Sequence, residues 1–156
     1  MNAFNGDRGV VISGNNAQAR VLRNSIFSNI GEGISLPLTS PFDNLDADTG
    51  PNGGQNFPDI TSAKTGRRAT TINGTLHSKP NQFYTVMFFS HPEDDREGKT
   101  FKGQKSDVLT DGAGNASFSV KLRRPNKIPK GQFVTATAIA SNGDTSEFSI
   151  AQKVGR

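Results

Sequence analysis

The sequence predicts an all-β chain that joins two different strand grammars. Short β-branched runs recur between Gly and Asn punctuation over residues 9–36, with no hairpin turn signals between them. From Phe57 onward, alternating strands are separated by clear turns. Residues 1–40 also lack any i, i+3, i+4 apolar stripe, which argues against a helix there. The two grammars meet at Asp43–Pro58, rich in Asp, Asn and Gly.

In the first segment, Gly9-Val-Val-Ile-Ser-Gly14 and Gly33-Ile-Ser-Leu36 are Gly-led apolar strands 24 residues apart. Between them, Arg20–Asn29 forms another short strand series that ends on Asn. A period in the low twenties marks a solenoid whose coils stack on one another. Asn15, Asn16, Asn24 and Asn29 suit its bends, because Asn tolerates left-handed backbone. One or two coils cannot bury their inner faces alone. The pattern therefore reads either as the last coils of a longer stack or as an arm or β cap on the following domain.

The second segment predicts about seven strands. Ile60–Ala63 follows Pro58 and reads as an edge strand. Ala69–Ser78 alternates, and Phe83–Ser90, the most apolar run, should be central. Thr100–Leu109 and Ala116–Leu122 flank a Gly-containing turn, where glycine permits positive φ. Gln132–Ala140 alternates again, Asn142-Gly143-Asp144 is a hairpin turn, and Thr145–Ala151 closes the series. Short strands at this spacing predict an antiparallel sandwich.

Composition bounds the function. At 156 residues the chain is one domain, or one small domain plus a fragment. It has no cysteine, hence no disulfide framework and no thiolate metal site. No apolar run approaches the roughly 18–20 residues of a membrane span, and residues 1–8 lack the pattern of a signal peptide. Net charge is +4 with a pI near 9.6. The basic residues are scattered, however, except in the Pro-broken loop Arg123–Lys130, and no stacking aromatics accompany them. That argues against nucleic acid as a partner.

Asp43, Asp46, Asp48 and Asn52, followed by Gln55 and Asn56, form one oxygen-rich cluster. Ca²⁺ takes six to eight oxygen ligands, so closely spaced Asp and Asn in a Gly-rich loop can wrap one. The spacing is not that of an EF-hand and lacks its terminal Glu; a solvated connector whose Asp and Asn cap turns is the other reading. His91-Pro-Glu93-Asp94-Asp95-Arg96-Glu97 reads as an exposed charged loop, and His77 on the preceding strand could approach His91 across a hairpin. No third ligand is defined for that pair. No nucleophile elbow or phosphate loop is present, so no catalytic residue is assigned. With no Trp, one Tyr and 11 Phe at mostly core-like positions, a flat aromatic sugar platform is not evident.

Several strings together resemble a known arrangement: Gly9–Asn16, Asn24–Asn29, Asp46–Asn52, Gln55–Pro58, Gly131–Ala138 and Thr145–Ser149. They are similar to the C-terminal end of bacterial right-handed parallel β-helix repeat proteins of the pectin-lyase-like kind, followed by an immunoglobulin-like sandwich. The resemblance implies terminal β-helix coils over 1–42, a joint over 43–58 and a sandwich over 59–154. It also implies a secreted or cell-surface protein and a non-catalytic structural and binding module. Its partners would be upstream β-helix coils or other surface proteins, its role to cap the helix and mediate adhesion or assembly. The alternative is a carbohydrate-binding accessory module that contacts polysaccharide.

Overall fold

A computed structural model describes residues 1–37, 39–40 and 43–156; the expected boundary at residue 42 lies outside the described residues. Four two-residue strands open the chain: β1 (Asn2–Ala3), β2 (Val10–Val11), β3 (Ile26–Phe27) and β4 (Ile34–Ser35). They pair in parallel, β1 with β3 and β2 with β4, in registers Asn2↔Ile26 and Val10↔Ile34. Each register spans 24 residues, the sequence period. Two equivalent bends repeat it, with left-handed backbone at Phe4 (φ 62°) and Ser28 (φ 57°). Gly9 is required by the same stacking. A Cβ there would fall 2.6 Å from the Gly33 carbonyl oxygen.

Seven further strands follow: β5 (Asp59–Thr65), β6 (Ala69–His77), β7 (Phe83–His91), β8 (Thr100–Leu109), β9 (Asn115–Arg123), β10 (Phe133–Ala140) and β11 (Gln152–Lys153). They form two antiparallel sheets, ordered β5-β6-β9 and β11-β10-β7-β8. The sheets share one core, in which Ile72, Leu76 and Phe118 of one meet Val86, Phe88, Val134 and Ala136 of the other. β5 is an edge strand and β7 lies between β8 and β10, both as the sequence predicts.

The apolar continuity of β7 has a physical cause, burial on both faces. Tyr84, Val86 and Phe88 point into the shared core. Met87 and Phe89 point the other way, joining Ile139 and Phe148 in a second cluster with Ile12, Val21, Ile26, Ile34 and Leu36. The N-terminal segment is thus a third layer on the outer face of the four-stranded sheet. Each of its buried aliphatics contributes roughly 1.5–3 kcal/mol relative to exposure.

One strand expectation fails. Residues 145–151 form no regular strand: they make an isolated bridge, Ile139↔Thr145, and the Ser146 and Ser149 N–H groups donate to the Ala138 and Ala136 carbonyls, while β11 takes the regular pairing with β10. Serine side chains are the reason. The Oγ atoms of Ser146 and Ser149 accept hydrogen bonds from the N–H groups of Ala138 and Ala136, each at 2.9 Å. Side-chain oxygens thus stand where a strand would offer carbonyls.

Candidate functional site

The joint folds as two short 3-10 turns, Asn44–Asp46 and Pro51–Gly54, with left-handed backbone at Leu45, Asp46 and Asn52. Non-glycine residues in that region cost of order 1–3 kcal/mol each, so their surroundings must over-determine them. Asp43 Oδ2 accepts from the N–H groups of Ala47 and Asp48 at 2.5 and 2.9 Å, and Asp48 Oδ2 from that of Ser40 at 2.7 Å. Asp46 is buried. Its Oδ1 accepts from the Asn56 N–H at 2.7 Å and its Oδ2 from the Ser78 hydroxyl at 3.0 Å. The Tyr84 hydroxyl lies 2.9 Å from the same Ser78 oxygen.

Burial pushes the Asp46 carboxyl above its ordinary value, against the opposing pull of the Asn56 N–H and the Ser78 hydroxyl. Burial likewise raises the Tyr84 hydroxyl. One oxygen from each of Asp43, Asp46 and Asp48 lies within 4.8 Å of the others. The Oδ1 atoms of Asp43, Asp48 and Asn56 are buried and accept no hydrogen bond among the described residues. Asn56 is only 2% exposed, and its Nδ2 already donates to the main-chain oxygens of Asp43 and His77. The free acceptors are therefore all oxygens, the donor set of a hard divalent cation such as Ca²⁺.

Asn52 does not join that set. Its Oδ1 accepts from the Ala19 N–H at 2.6 Å, and its Nδ2 donates to the carbonyls of Ala19 and Thr145 at 2.9 and 2.7 Å. The amide is a clamp between the N-terminal layer and the hairpin after β10. Sequence reasoning grouped it with the aspartates because proximity along the chain says nothing of where an amide is consumed.

The charged loop over 91–99 is only partly exposed. Pro92, Glu93 and Asp94 face solvent, whereas His91 is buried and Glu97 is fully so. His77 and His91 do not form a pair. They lie on different sheets, His77 opposite Asn115 and His91 opposite Phe133. His77 Nε2 accepts from the Leu45 N–H at 3.1 Å, and His91 Nδ1 from that of Glu93 at 3.1 Å. Both imidazoles hold backbone.

Glu97 completes an arrangement that sequence reasoning missed. Asn5 donates from its N–H and its Nδ2 to Asn29 Oδ1, at 3.2 and 2.7 Å. Asn29 donates in the same two ways to Glu97 Oε1, at 3.1 and 2.7 Å. The signal was available, since Asn5 and Asn29 share the 24-residue offset of Gly9 and Gly33. Around it, Ile26 exchanges both main-chain bonds with Gly98, the Gly33 N–H reaches the Arg96 carbonyl, and the Leu36 N–H reaches Glu147 Oε1 at 2.8 Å. Arg96 pairs with Glu32 and Glu147 at 3.4 and 3.1 Å and covers the Phe57 ring at 4.9 Å. Burial raises the Glu147 carboxyl above its ordinary value, with the guanidinium acting in the opposite direction.

A cleft of about 530 Å³ opens over the Phe83 end of β7, where Arg20, Arg23, Gln104 and Asp107 surround Leu22 and a Phe83 ring that is 56% exposed. The basic loop is pinned at buried Ile128, whose N–H and carbonyl both engage the Thr70 hydroxyl. Among the described residues no helix is long and apolar enough to cross a membrane. Neither protein-family models nor curated proteins give a match to this chain.

Proposed function

We propose that the chain is a non-catalytic module of a secreted or cell-surface protein. In this reading residues 1–36 are the last coils of a right-handed parallel β-helix, and the two antiparallel sheets are an immunoglobulin-like sandwich that closes its end and presents loops for adhesion or assembly. One observation carries it. The second pass of chain, residues 25–36, offers a row of N–H groups at Ile26, Asn29, Gly33 and Leu36, and every one is met by a group of the sandwich. Strand edges left unpaired would recruit other chains. Closing that edge is what an end cap must do.

The test removes the closure. Glu97→Ala and Arg96→Ala should leave the sandwich folded by circular dichroism but make the chain self-associate with rising concentration in analytical ultracentrifugation. Variants that stay as monodisperse as the parent, with the Asn29 and Leu36 amides newly open to exchange, would refute the capping role.

A divalent cation at Asp43, Asp46 and Asp48, with Asn56 Oδ1 as a further donor, fits the same reading as a device that stiffens the joint. The carbohydrate-binding alternative is favoured by one feature, the exposed Phe83 beside two guanidiniums. Affinity electrophoresis should then show retardation by polysaccharide that Phe83→Ala abolishes.

A further inference from the structure

Basic residues that are scattered along the sequence converge at one end of the three-stranded sheet, the layer farthest from the N-terminal segment. Lys64, Arg67 and Arg68 lie at the β5–β6 turn, and the stretch Lys121–Lys130, at the end of β9 and beyond, adds five more. Arg156 joins them, because its neighbour Gly155 bridges Lys64. Half of the chain's 18 Lys and Arg therefore meet here, while residues 60–70, 117–131 and 150–156, which carry them, hold no Asp or Glu. The acidic loop over 91–99 stands at the same end but folds onto the N-terminal layer, with Gly98 paired to Ile26 and Arg96 to Glu32. The ion pairs of the described residues involve Arg8 and Arg96, and none involves a cation of this cluster.

The cluster is built on fixed backbone. The Thr70 hydroxyl donates to the Ile128 carbonyl at 2.7 Å and accepts from its N–H at 3.0 Å, which holds the loop after β9 beside the β5–β6 turn. The Gly155 N–H donates to the Ala63 carbonyl at 2.9 Å, and the Thr65 N–H to the Gly155 carbonyl at 3.0 Å, which brings in the C-terminus. Lys64 and Lys121 both stand opposite Thr71, so they share its face about 10 Å apart, two strand spacings. Like charges gathered without counter-charges repel one another and weaken the fold. A surface that holds them together regardless is suited to an anionic partner.

We propose that this end of the sandwich docks on an anionic phospholipid membrane surface, with the headgroup phosphates as its ligands. Three observations favour that occupant over other polyanions. The exposed large apolar residues all lie elsewhere, so the cluster has no ring on which bases or sugars would stack. The cations sit on a turn, a loop and a chain end, a convex array that meets a plane. Between Arg124 and Lys127 a cleft of about 670 Å³, floored by Pro125 and Pro129, leaves room for a projecting headgroup. Attraction to such a surface needs charge alone and grows with each Lys or Arg brought near it. The proposal does not depend on the capping reading.

The experiment is flotation of the full chain with vesicles of equal parts phosphatidylglycerol and phosphatidylcholine, and with vesicles of phosphatidylcholine alone. The chain should float with the first and not with the second. Raising salt from about 0.1 M to 1 M, which shortens the screening length from about 10 Å to about 3 Å, should release it. Combining Arg67→Gln, Arg124→Gln and Lys127→Gln should lower the partition coefficient roughly a hundredfold, about fivefold for each cation removed. Exchanging the same three for the other cation, Arg67→Lys, Arg124→Lys and Lys127→Arg, should keep it. Arg8→Gln, Lys79→Gln and Lys105→Gln together remove the same charge from exposed positions outside the cluster and should change it little. Circular dichroism checks that each variant folds.

Flotation with neither vesicle, or equally with both, overturns the proposal. So does a control triple that loses as much binding as the cluster triple, since net charge and not this surface would then be responsible. A chain that leaves the anionic vesicles for duplex DNA or dextran sulfate at equal anionic charge also overturns it, in favour of a soluble polyanion.

Discussion

Asn52 offers the sharpest test of how the N-terminal layer is held. Its side chain is 1% exposed and makes three hydrogen bonds, two to Ala19 and one to Thr145. Removing the amide leaves the Thr145 carbonyl, in a fully buried residue, without that partner, at a cost of about 1–3 kcal/mol. Ala19 is half-buried and water can reach it, so each of its two bonds is worth about 1 kcal/mol net. Asn52→Gly should therefore lose about 4 kcal/mol. Asn52→Ala should lose about 0.5–1 kcal/mol more. Alanine at φ 48° costs about 1–2 kcal/mol, against the roughly 0.5–1 kcal/mol that glycine's greater unfolded freedom costs. Denaturant unfolding monitored by circular dichroism measures both, and hydrogen exchange should place the first opening at the Ala19 amide. Two variants within about 0.5 kcal/mol of the parent would refute the clamp. If Asn52→Ala instead kept full stability in chelator and lost a calcium-induced rise in Tm, Asn52 would be a ligand after all.

Calcium should raise Tm by mass action on the folded state, and Asp43→Asn and Asp48→Asn should each remove the rise; a Tm indifferent to calcium and chelator sinks the site. In chelator, pH should act through Asp46. Its folded carboxyl is raised above its ordinary value of 3.8, so the native state binds the proton more tightly than the unfolded chain. Stability should therefore fall as pH rises from 3.8 through the raised folded value, and Asp46→Asn should flatten that fall; an unchanged slope in melts between about pH 4 and pH 7 counts against it. Gly9→Ala should push the two N-terminal passes apart, with a loss of about 1–3 kcal/mol confined to that layer. Exchange should quicken at Ile12 and Ile34 while Val86 stays protected, and an unaffected layer would show that Gly9 is not confined.

The sheets were legible because their signals are local. Alternation in Ala69–Ser78 and Gln132–Ala140, and the glycine turns between strands, fix which face of each strand is buried before any partner is known. Phe83–Ser90 was legible as central, but the cause of its unbroken apolarity was not, since a sheet covered on both faces needs knowledge of what covers the second. The strand expected at Thr145–Ala151 failed because Ser146 and Ser149 supply side-chain oxygens to the ladder, a substitution that alternation cannot register. The joint was half legible. Three aspartates do converge, whereas Asn52 is drawn off by Ala19 and Thr145, residues remote from it in sequence. Glu97 was misjudged for the same reason. A Glu in a run of charged residues reads as solvated until the donors that need it, on Asn29, are brought from 68 residues away.

Glu97 also explains why a costly group sits at this place. A carboxylate taken out of water is unfavourable unless hydrogen bonds replace its hydration, and among the described residues only Oε1 has partners. In the middle of a ladder an asparagine meets the same N–H and amide donors at no charge, as Asn29 does for Asn5. Its nitrogen would then need acceptors at the place where Glu97 Oε2 is buried without a hydrogen-bond partner among the described residues. A group that accepts without donating ends the row with fewer unmet demands. The identity of residue 97 thus follows from the direction of the ladder, and Glu97→Gln should destabilise the N-terminal layer although it removes a buried charge. A Glu97→Gln chain as stable as the parent across neutral pH would mean that the charge, and not the direction of donation, sets the cost.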